Sequence, residues 1–97
     1  EGTSVSVESM ATDDEFSAAQ TRVKQLSKTP ASDELLELYA YYKQATAGDA
    51  QGDRPGMLDF KGRAKFDAWS ARQGMSKPGA MSAYVELVAK LVRKYDG

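Results

Sequence analysis

The sequence predicts an all-α protein built from four helices. Apolar residues recur at intervals of three and four in several stretches, and no stretch shows the alternation of apolar and polar residues that is typical of strands. Glycine or proline follows each of the first three helical stretches, as expected at helix ends. With 97 residues, 41% of them hydrophobic, the chain is long enough for one domain with a modest core.

Residues 1–12 are predicted to be a disordered tail, because they are small and polar and show no sustained period. Either Met10 is the natural start and residues 1–9 are an expression remnant, or these residues are a linker from a longer protein. The sequence leaves both alternatives open. The single domain is predicted over residues 13–97.

Capping signals mark the first two helices. Thr12 and Glu15 have the spacing of a capping box, in which a hydroxyl and a carboxylate accept hydrogen bonds from free backbone amides at a helix start. The second helix is predicted to run from an N-cap at Ser32 to Ala47, with Gly48 at its C-terminal end. The first helix has an apolar stripe and is closed by a proline: Phe16, Ala19, Val23, Leu26 and then Pro30.

A long connection separates the second helix from the third. Residues 48–60 include the strong helix breaker RPG at residues 54–56. Loops of this length are unusual in a small domain and often have a function. We expect Met57, Leu58 and Phe60 to pin the loop against the helices.

The last two helices follow this loop. The third is predicted to run from about Phe60 to Gly74, with Trp69 in the core. The fourth starts at Ser76 and tolerates Pro78 in its first turn. Its inner stripe is predicted to consist of Met81, Tyr84, Val88, Leu91 and Tyr95.

Composition narrows the possible functions. The chain has neither cysteine nor histidine, so it lacks disulfides, a thiolate nucleophile and the commonest proton shuttle and metal ligand. No stretch approaches the roughly 20 apolar residues of a membrane span. We therefore expect a soluble cytoplasmic protein. The net charge is -1, but six bases and two acids lie between Arg54 and Lys77, a distribution that favours a phosphate-bearing ligand.

Conventional metal and catalytic motifs fit poorly. Asp49, Asp53 and Asp59 lie in the long loop, but Phe60 stands where a calcium loop needs its final glutamate. Residues 56–63 contain glycines and a lysine without the ending of a phosphate-binding P-loop. The carboxylates are predicted to lie on polar surfaces where nothing shifts their pKa values. We expect no enzyme activity, no catalytic residue and no metal site.

Tyrosines and a lysine share one face of the second helix. Leu36, Tyr39 and Lys43 follow one another at intervals of three and four, and Tyr42 lies beside Tyr39. In one interpretation the tyrosines fill the core while Lys43 keeps its charge in water. In the other they form a surface that stacks on a flat ring and binds phosphate, because buried phenols require hydrogen-bond partners that leucine does not.

Three longer motifs resemble a known family. The stretches YYKQATAGD at residues 41–49, RPGMLDFKG at 54–62 and RAKFDAW at 63–69 look very like the acyl-CoA-binding proteins. The likeness covers roughly residues 13–96 and is too specific for chance. It implies an up-down-down-up four-helix bundle and a monomeric carrier of long-chain acyl-CoA. It also implies no other cofactor, no chemistry on the ligand, and transient contacts with membranes or acyl-CoA-using enzymes.

The resemblance also implies a binding site. Adenine is expected on tyrosines of the second helix, and the ribose 3'-phosphate beside Lys43 and Lys65. The full set implied for acyl-CoA is Lys24, Tyr39, Tyr42, Lys43, Lys61, Lys65 and Tyr84. The acyl groove is implied at Phe16, Ala19 and Leu36. Departures from the family pattern are Gln20, Phe66 and the pair Pro78-Gly79, and these bear on ligand preference.

Two other functional classes stay open on the residues alone. A helical nucleic-acid binder could use the same tyrosines for bases and the same lysines for phosphates, although the basic excess of about +4 beyond residue 15 is spread thinly and no DNA-binding motif is present. A helical interaction module of a larger protein is also compatible with the acidic N-terminal stretch.

Overall fold

The computed structural model describes residues 11–97 and contains four α-helices. They are α1 (Asp13–Lys24), α2 (Ser32–Ala47), α3 (Phe60–Ser70) and α4 (Lys77–Tyr95), and no strand occurs between residues 11 and 97. The predicted all-α fold with four helices is therefore confirmed. Residues 1–10 of the predicted disordered tail lie outside the described residues.

The helix starts largely follow the local capping signals. The Thr12 hydroxyl accepts a hydrogen bond from the Glu15 amide at 3.1 Å, and the Glu15 carboxylate accepts one from the Thr12 amide at 2.9 Å. Ser76 caps α4 by accepting from the Gly79 amide at 3.0 Å. For α2 the prediction is wrong by one residue, because the N-cap is Ala31 and it provides no side-chain hydrogen bond.

The ends of the helices show how α2 and α4 are oriented. Near the start of α2, the Glu34 carboxylate accepts a hydrogen bond from the Lys94 ammonium, close to the end of α4, at 2.6 Å. Near the end of α2, the Gln44 side-chain amide donates to the Met75 carbonyl, just before α4, at 2.8 Å. The two helices are therefore antiparallel.

By the same reasoning α1 is parallel to α4. The Ala11 amide, before α1, donates to the Ser82 hydroxyl in the first turns of α4 at 2.9 Å. Ser27, after α1, donates its backbone amide to the Asp96 carboxylate at the end of α4 at 3.2 Å. Both ends of α1 thus lie beside the corresponding ends of α4.

Helix α3 is parallel to α2 and packs only against it among the four helices. The starts of the two helices share a groove that contains Ser32 and Phe60. At their other ends, the Trp69 indole donates to the Gly48 carbonyl at 2.7 Å. The complete order is up-down-down-up, as the resemblance implies.

The core lies where α1, α2 and α4 meet. Of the predicted α4 stripe, Tyr84, Val88 and Leu91 are buried, whereas Met81 and Tyr95 are partly buried at its edge. The hydrophobic core cluster consists of Phe16, Ala19, Leu38, Ala45, Ala80, Tyr84, Leu87, Val88 and Leu91. Helix α3 contributes no buried residue. Across residues 11–97 no helix has both the length and the apolar character that crossing a bilayer demands.

Candidate functional site

An open groove of about 330 Å³ runs between α2 and α3. Helix α2 lines it with residues at intervals of three and four, namely Ser32, Leu35, Leu36 and Tyr39. Helix α3 lines it with two pairs of neighbours, namely Phe60, Lys61, Ala64 and Lys65. Because the two helices are parallel, their matching periods place apolar side chains and two exposed lysines along one cavity.

Two cation–π contacts connect α2 to α3 above this groove. The Lys65 ammonium of α3 lies 5.4 Å from the centroid of the Tyr39 ring of α2. In the reverse direction, the Lys43 ammonium of α2 lies 4.9 Å from the Trp69 ring of α3. On α2, Lys43 follows Tyr39 by four residues, and on α3, Trp69 follows Lys65 by four residues. The two contacts are therefore about 5–6 Å apart, which is one helical turn. We call these two contacts the cation–π rungs.

The rungs bear directly on the phosphate site implied by the resemblance. Lys43 and Lys65 both lie on the same side of α2, facing α3, rather than on opposite sides of the molecule. An ammonium over an aromatic ring is attracted by about 0.5–1 kcal/mol at an exposed site. That is weaker than a charge-assisted bond to a phosphate, so either lysine can leave its ring for an anion.

A cluster of three aromatic rings lies beside the core. Phe16 of α1 is stacked on Tyr42 of α2, with centroids 6.1 Å apart, and meets Tyr84 of α4 edge-on at 5.2 Å. Tyr84 is buried, and burial raises the pKa of its phenol, with Tyr42 adding to the rise. Tyr42 keeps 38% of its surface exposed. Tyr39 is half-buried, so neither Tyr39 nor Tyr42 is sealed in the interior.

The structure does not bring every predicted site residue into the groove. Tyr39, Leu36, Lys61 and Lys65 line it. Lys24 is the exposed last residue of α1 and is not among the lining residues.

The three residues predicted for the acyl groove are divided. Leu36 lines the α2–α3 groove, but Phe16 and Ala19 are buried in the core on the other side of α2. Ala19 also borders a second, separate groove of about 460 Å³ between α1 and α4. The three residues therefore do not line one cavity in this structure.

Sequence reasoning also missed groove residues. The sequence does not predict four of the residues that line the cavity as site residues: Ser32, Leu35, Phe60 and Ala64. A signal was present, because Ser32 and Leu35 fall three residues apart on the face that carries Tyr39. Extending the tyrosine face backwards along α2 would have found them.

Polar contacts hold the first half of the long loop. The Asp49 carboxylate accepts hydrogen bonds from the Gly74 amide and from the Gln44 side chain, both at 2.8 Å. Farther along, the Arg54 guanidinium donates two hydrogen bonds to Asp67 of α3, at 2.9 and 2.7 Å. The backbone reverses at Gly48, whose φ of 84° favours glycine.

The predicted apolar anchor of this loop is wrong. Met57, Leu58 and Phe60 are 76%, 90% and 75% exposed, so they do not pin the loop against the helices. The loop is held by hydrogen bonds and an ion pair instead.

Trp69 is also not a core residue. It is half-buried, with its indole nitrogen donating to the Gly48 carbonyl and Phe66 meeting it edge-on at 6.3 Å. Its ring joins the end of α2 to α3 and supports the Lys43 ammonium. Trp69 therefore belongs to the interface between α2 and α3 rather than to the core.

The expectation that no carboxyl pKa is shifted is wrong as well. Hydrogen bonds from Lys94 and then Tyr95 lower the pKa of Glu34 to about 2. The Gly74 amide lowers the pKa of Asp49, and Arg54 lowers that of Asp67. A lowered pKa makes a carboxylate a weaker base, which suits a structural role better than acid–base catalysis. Among residues 11–97, no group of three or more acidic side chains is placed to hold a metal ion.

Comparison with known proteins shows where this geometry belongs. The family model described as acyl CoA binding protein matches residues 13–88. The chain belongs to the acyl-CoA-binding protein family. An acyl-CoA-binding protein homolog 1 from Caenorhabditis elegans is 50% identical over 80 residues, which cover 82% of this chain and 93% of that protein.

Solved structures of the family share the fold. The crystal structure of acyl-CoA-binding protein 2 from Oryza sativa matches with a TM-score of 0.80 at 40% identity, covering 84% of this chain and 90% of that one. The crystal structure of an ACBP from Moniliophthora perniciosa matches with a TM-score of 0.83 at 40% identity, covering 91% and 87%. The four-helix bundle described above is thus the fold of the acyl-CoA-binding protein family.

Proposed function

We propose that this chain binds long-chain fatty acyl-CoA esters without covalent chemistry and acts as a monomeric cytoplasmic carrier that maintains a pool of them. The observation that carries the proposal is the α2–α3 groove, where apolar side chains lie directly beside two exposed lysines and a half-buried tyrosine. Such a groove suits a ligand with one hydrocarbon end and one anionic end. Membership of the family supports the same ligand.

The proposed head-group contacts come from the cation–π rungs. Lys43 and Lys65 take the ribose 3'-phosphate between them, while Tyr39 and the exposed face of Tyr42 stack against the adenine. Each charge-assisted contact to a phosphate contributes about 1.5–3 kcal/mol. Lys61 lies at the rim of the groove and contributes to the positive field. Tyr84 supports Tyr42 from the core side, at a centroid distance of 6.4 Å.

The proposed acyl contacts come from the apolar part of the groove. Leu35, Leu36, Phe60 and Ala64 provide hydrocarbon on both walls. Each methylene removed from water contributes about 0.8 kcal/mol, so burying eight to ten of them contributes about 6–8 kcal/mol before entropy costs. The tail therefore dominates affinity, and the head group sets specificity. Phe16 and Ala19 act indirectly, by packing behind Tyr42 and within the core.

Isothermal titration calorimetry with palmitoyl-CoA, free coenzyme A and palmitate tests this assignment. Palmitoyl-CoA should bind at least about a hundredfold more tightly than free coenzyme A, because both share the head contacts and only one buries a hydrocarbon chain. Palmitate should also bind weakly, because it lacks the phosphates. Equal affinities for palmitoyl-CoA and coenzyme A would refute the proposal, and so would tight binding of a DNA oligonucleotide in place of the thioester.

Recovery of the ligand tests the absence of chemistry. Native mass spectrometry after incubation with palmitoyl-CoA should show one intact thioester per monomer. Hydrolysed palmitate or an acylated protein would contradict a purely carrying role.

A further inference from the structure

The α2–α3 groove is apolar in its middle and polar at both ends. Tyr39 and Lys65, which meet in one of the cation–π rungs, lie at one end. Ser32 and Lys61 lie at the other, because they occupy the first turns of the two parallel helices. Ser32 precedes Tyr39 by seven residues, a rise of about 10 Å along α2. We call Ser32 and Lys61 the far end of the groove.

An ordinary acyl chain leaves the far end without a hydrogen-bond acceptor. Under the proposed function the head group lies at the rungs, between Lys43 and Lys65, and the chain runs from there along Leu36 and Ala64. A saturated chain ends in a methyl group, to which neither a hydroxyl nor an ammonium group can donate a hydrogen bond. The two polar side chains of the far end are therefore not used by such a ligand.

No acidic side chain neutralises Lys61. The residues that line the groove include two lysines and no carboxylate. None of the ion pairs in the part of the chain that the structure describes involves Lys61, whose side chain is exposed. Asp33, the acid next to Ser32, lines a different cavity. The ammonium of Lys61 is thus available to an anion that enters the groove.

We propose that the groove also accepts acyl-CoA esters whose chain ends in a second carboxylate, and that Lys61 and the Ser32 hydroxyl bind this carboxylate. The inference rests on the proposed function, because the coenzyme head must occupy the rungs. An ammonium and a hydroxyl both donate to a carboxylate, and the charge-assisted contact offsets the cost of taking the carboxylate out of bulk water. The ligand class therefore includes ω-carboxyacyl-CoA esters.

Two other roles for Lys61 lead to different expectations. In the first, its stem covers the acyl chain while its charge stays in water. In the second, it binds a phosphate of the coenzyme. In both of these roles a carboxylate at the end of the chain has no partner in an apolar groove, so it weakens binding. The effect of the terminal carboxylate therefore separates the three roles.

Isothermal titration calorimetry with palmitoyl-CoA and hexadecanedioyl-CoA tests the inference. The two thioesters have the same number of carbons and differ only in the terminal carboxylate, so the ratio of their affinities isolates the far end. A shorter pair, dodecanoyl-CoA and dodecanedioyl-CoA, covers a shorter reach. In at least one pair the wild-type chain should bind the carboxylate-ended ester within about threefold of the simple ester, or more tightly.

Substitutions at the far end should change this ratio. Lys61→Met keeps most of the stem and removes the charge, so it should weaken the carboxylate-ended ester by about 10- to 100-fold more than the simple ester. Ser32→Ala removes a neutral donor and should lower the same ratio by about two- to tenfold. Lys65→Met is the matched control, because it removes the other exposed lysine of the groove. It should weaken both esters alike. Circular dichroism melts of all variants verify the fold.

Each result decides the inference. It is overturned if the wild-type chain binds the carboxylate-ended ester more than about tenfold more weakly in both pairs, or if Lys61→Met weakens both esters equally. A ratio that falls as far in Lys65→Met as in Lys61→Met would assign the effect to the general positive field and also overturn it. Loss of palmitoyl-CoA binding by the wild-type chain would refute the proposed function as well, whereas tight palmitoyl-CoA binding with rejection of both carboxylate-ended esters would refute this inference alone.

Discussion

The two sides of α2 are stabilised by different interactions. On one side, α2 packs against α4 through buried apolar residues such as Leu38 and Ala45, and α1 joins the same core. On the other side it meets α3, which has no buried residue and is held by the cation–π rungs and the Trp69 hydrogen bond. Apolar burial stabilises a fold far more per residue than exposed polar contacts do. Folding stability is therefore concentrated in α1, α2 and α4.

Because its two sides differ, one helix can serve both stability and binding. With 3.6 residues per turn, Leu38 faces the core while its neighbour Tyr39 faces α3. Under the proposed function, the side that faces α3 exchanges its internal polar contacts for contacts with the ligand, and little of the folding free energy depends on those internal contacts. Regions of low local stability are commonly the ones that bind and move.

The largest expected effect is the loss of a core leucine. Leu91 is only 2% exposed, so Leu91→Ala should lower the free energy of unfolding by about 2–5 kcal/mol through lost burial and a residual cavity. Leu58→Ala is the matched control, because Leu58 is 90% exposed and should change stability by less than about 0.5 kcal/mol. Urea denaturation measures both. Similar losses of unfolding free energy at the two leucines would contradict the concentration of stability in the core.

Next in size is the effect of the rung lysines on binding. Lys43→Ala and Lys65→Ala should each weaken palmitoyl-CoA binding by about 10- to 100-fold, the equivalent of one phosphate contact, with little change in stability. Lys90→Ala, at an exposed position on α4, controls for the loss of one positive charge. Calorimetry measures the affinity for palmitoyl-CoA, and urea denaturation measures the folding stability. Lysine variants that lose stability but keep their affinity would assign the rungs to the fold instead.

A smaller effect is expected from the tryptophan hydrogen bond. Trp69→Phe keeps an aromatic ring under Lys43 but removes the donor to the Gly48 carbonyl, so it should lower the free energy of unfolding by about 1 kcal/mol. Trp69→Ala should cost more, because the ring is lost too. Thermal and urea denaturation can show which of the two Trp69 variants is less stable. If the phenylalanine variant is as unstable as the alanine variant, the hydrogen bond outweighs the ring.

The smallest effect concerns acid pH. The pKa of Glu34 falls from its ordinary value of 4.5 to about 2 in the folded protein, chiefly through the Lys94 hydrogen bond. A lowered pKa stabilises the fold above about pH 4.5, and this contribution disappears as the pH falls towards 2. The stability difference between wild type and Glu34→Gln should therefore shrink over that range. Denaturation curves that stay equally separated from pH 5 down to 2 would contradict this.

Local signals allowed much of the fold to be predicted. The capping box at Thr12, the start of α4 at Ser76 and the glycine at the end of α2 were each predicted from a few neighbouring residues, because helix ends depend on local hydrogen bonds. Ser32 misled because the preceding residue, Ala31, takes the cap position without any side-chain contribution. Capping preferences are statistical, and helix boundaries vary by one or two residues because helix ends fray.

The errors at the site involve contacts between distant parts of the chain. Periodicity showed that Tyr39 and Lys43 share a face, but not that Lys65 and Trp69 would complete the rungs. Apolar character suggested that Leu58 would be buried, yet hydrophobicity alone does not say which apolar residues find a partner. The carboxyl pKa shifts depend on the same long-range contacts, such as Glu34 with Lys94.

The position of Trp69 has a practical consequence. It is the only tryptophan in the chain, and the Lys43 ammonium lies 4.9 Å from its ring. When that cation moves towards an anion, the electric field at the indole changes, and the emission wavelength and intensity change with it. The protein thus contains an intrinsic fluorophore at the interface between α2 and α3, and under the proposed function its emission should report ligand binding in real time without an attached dye.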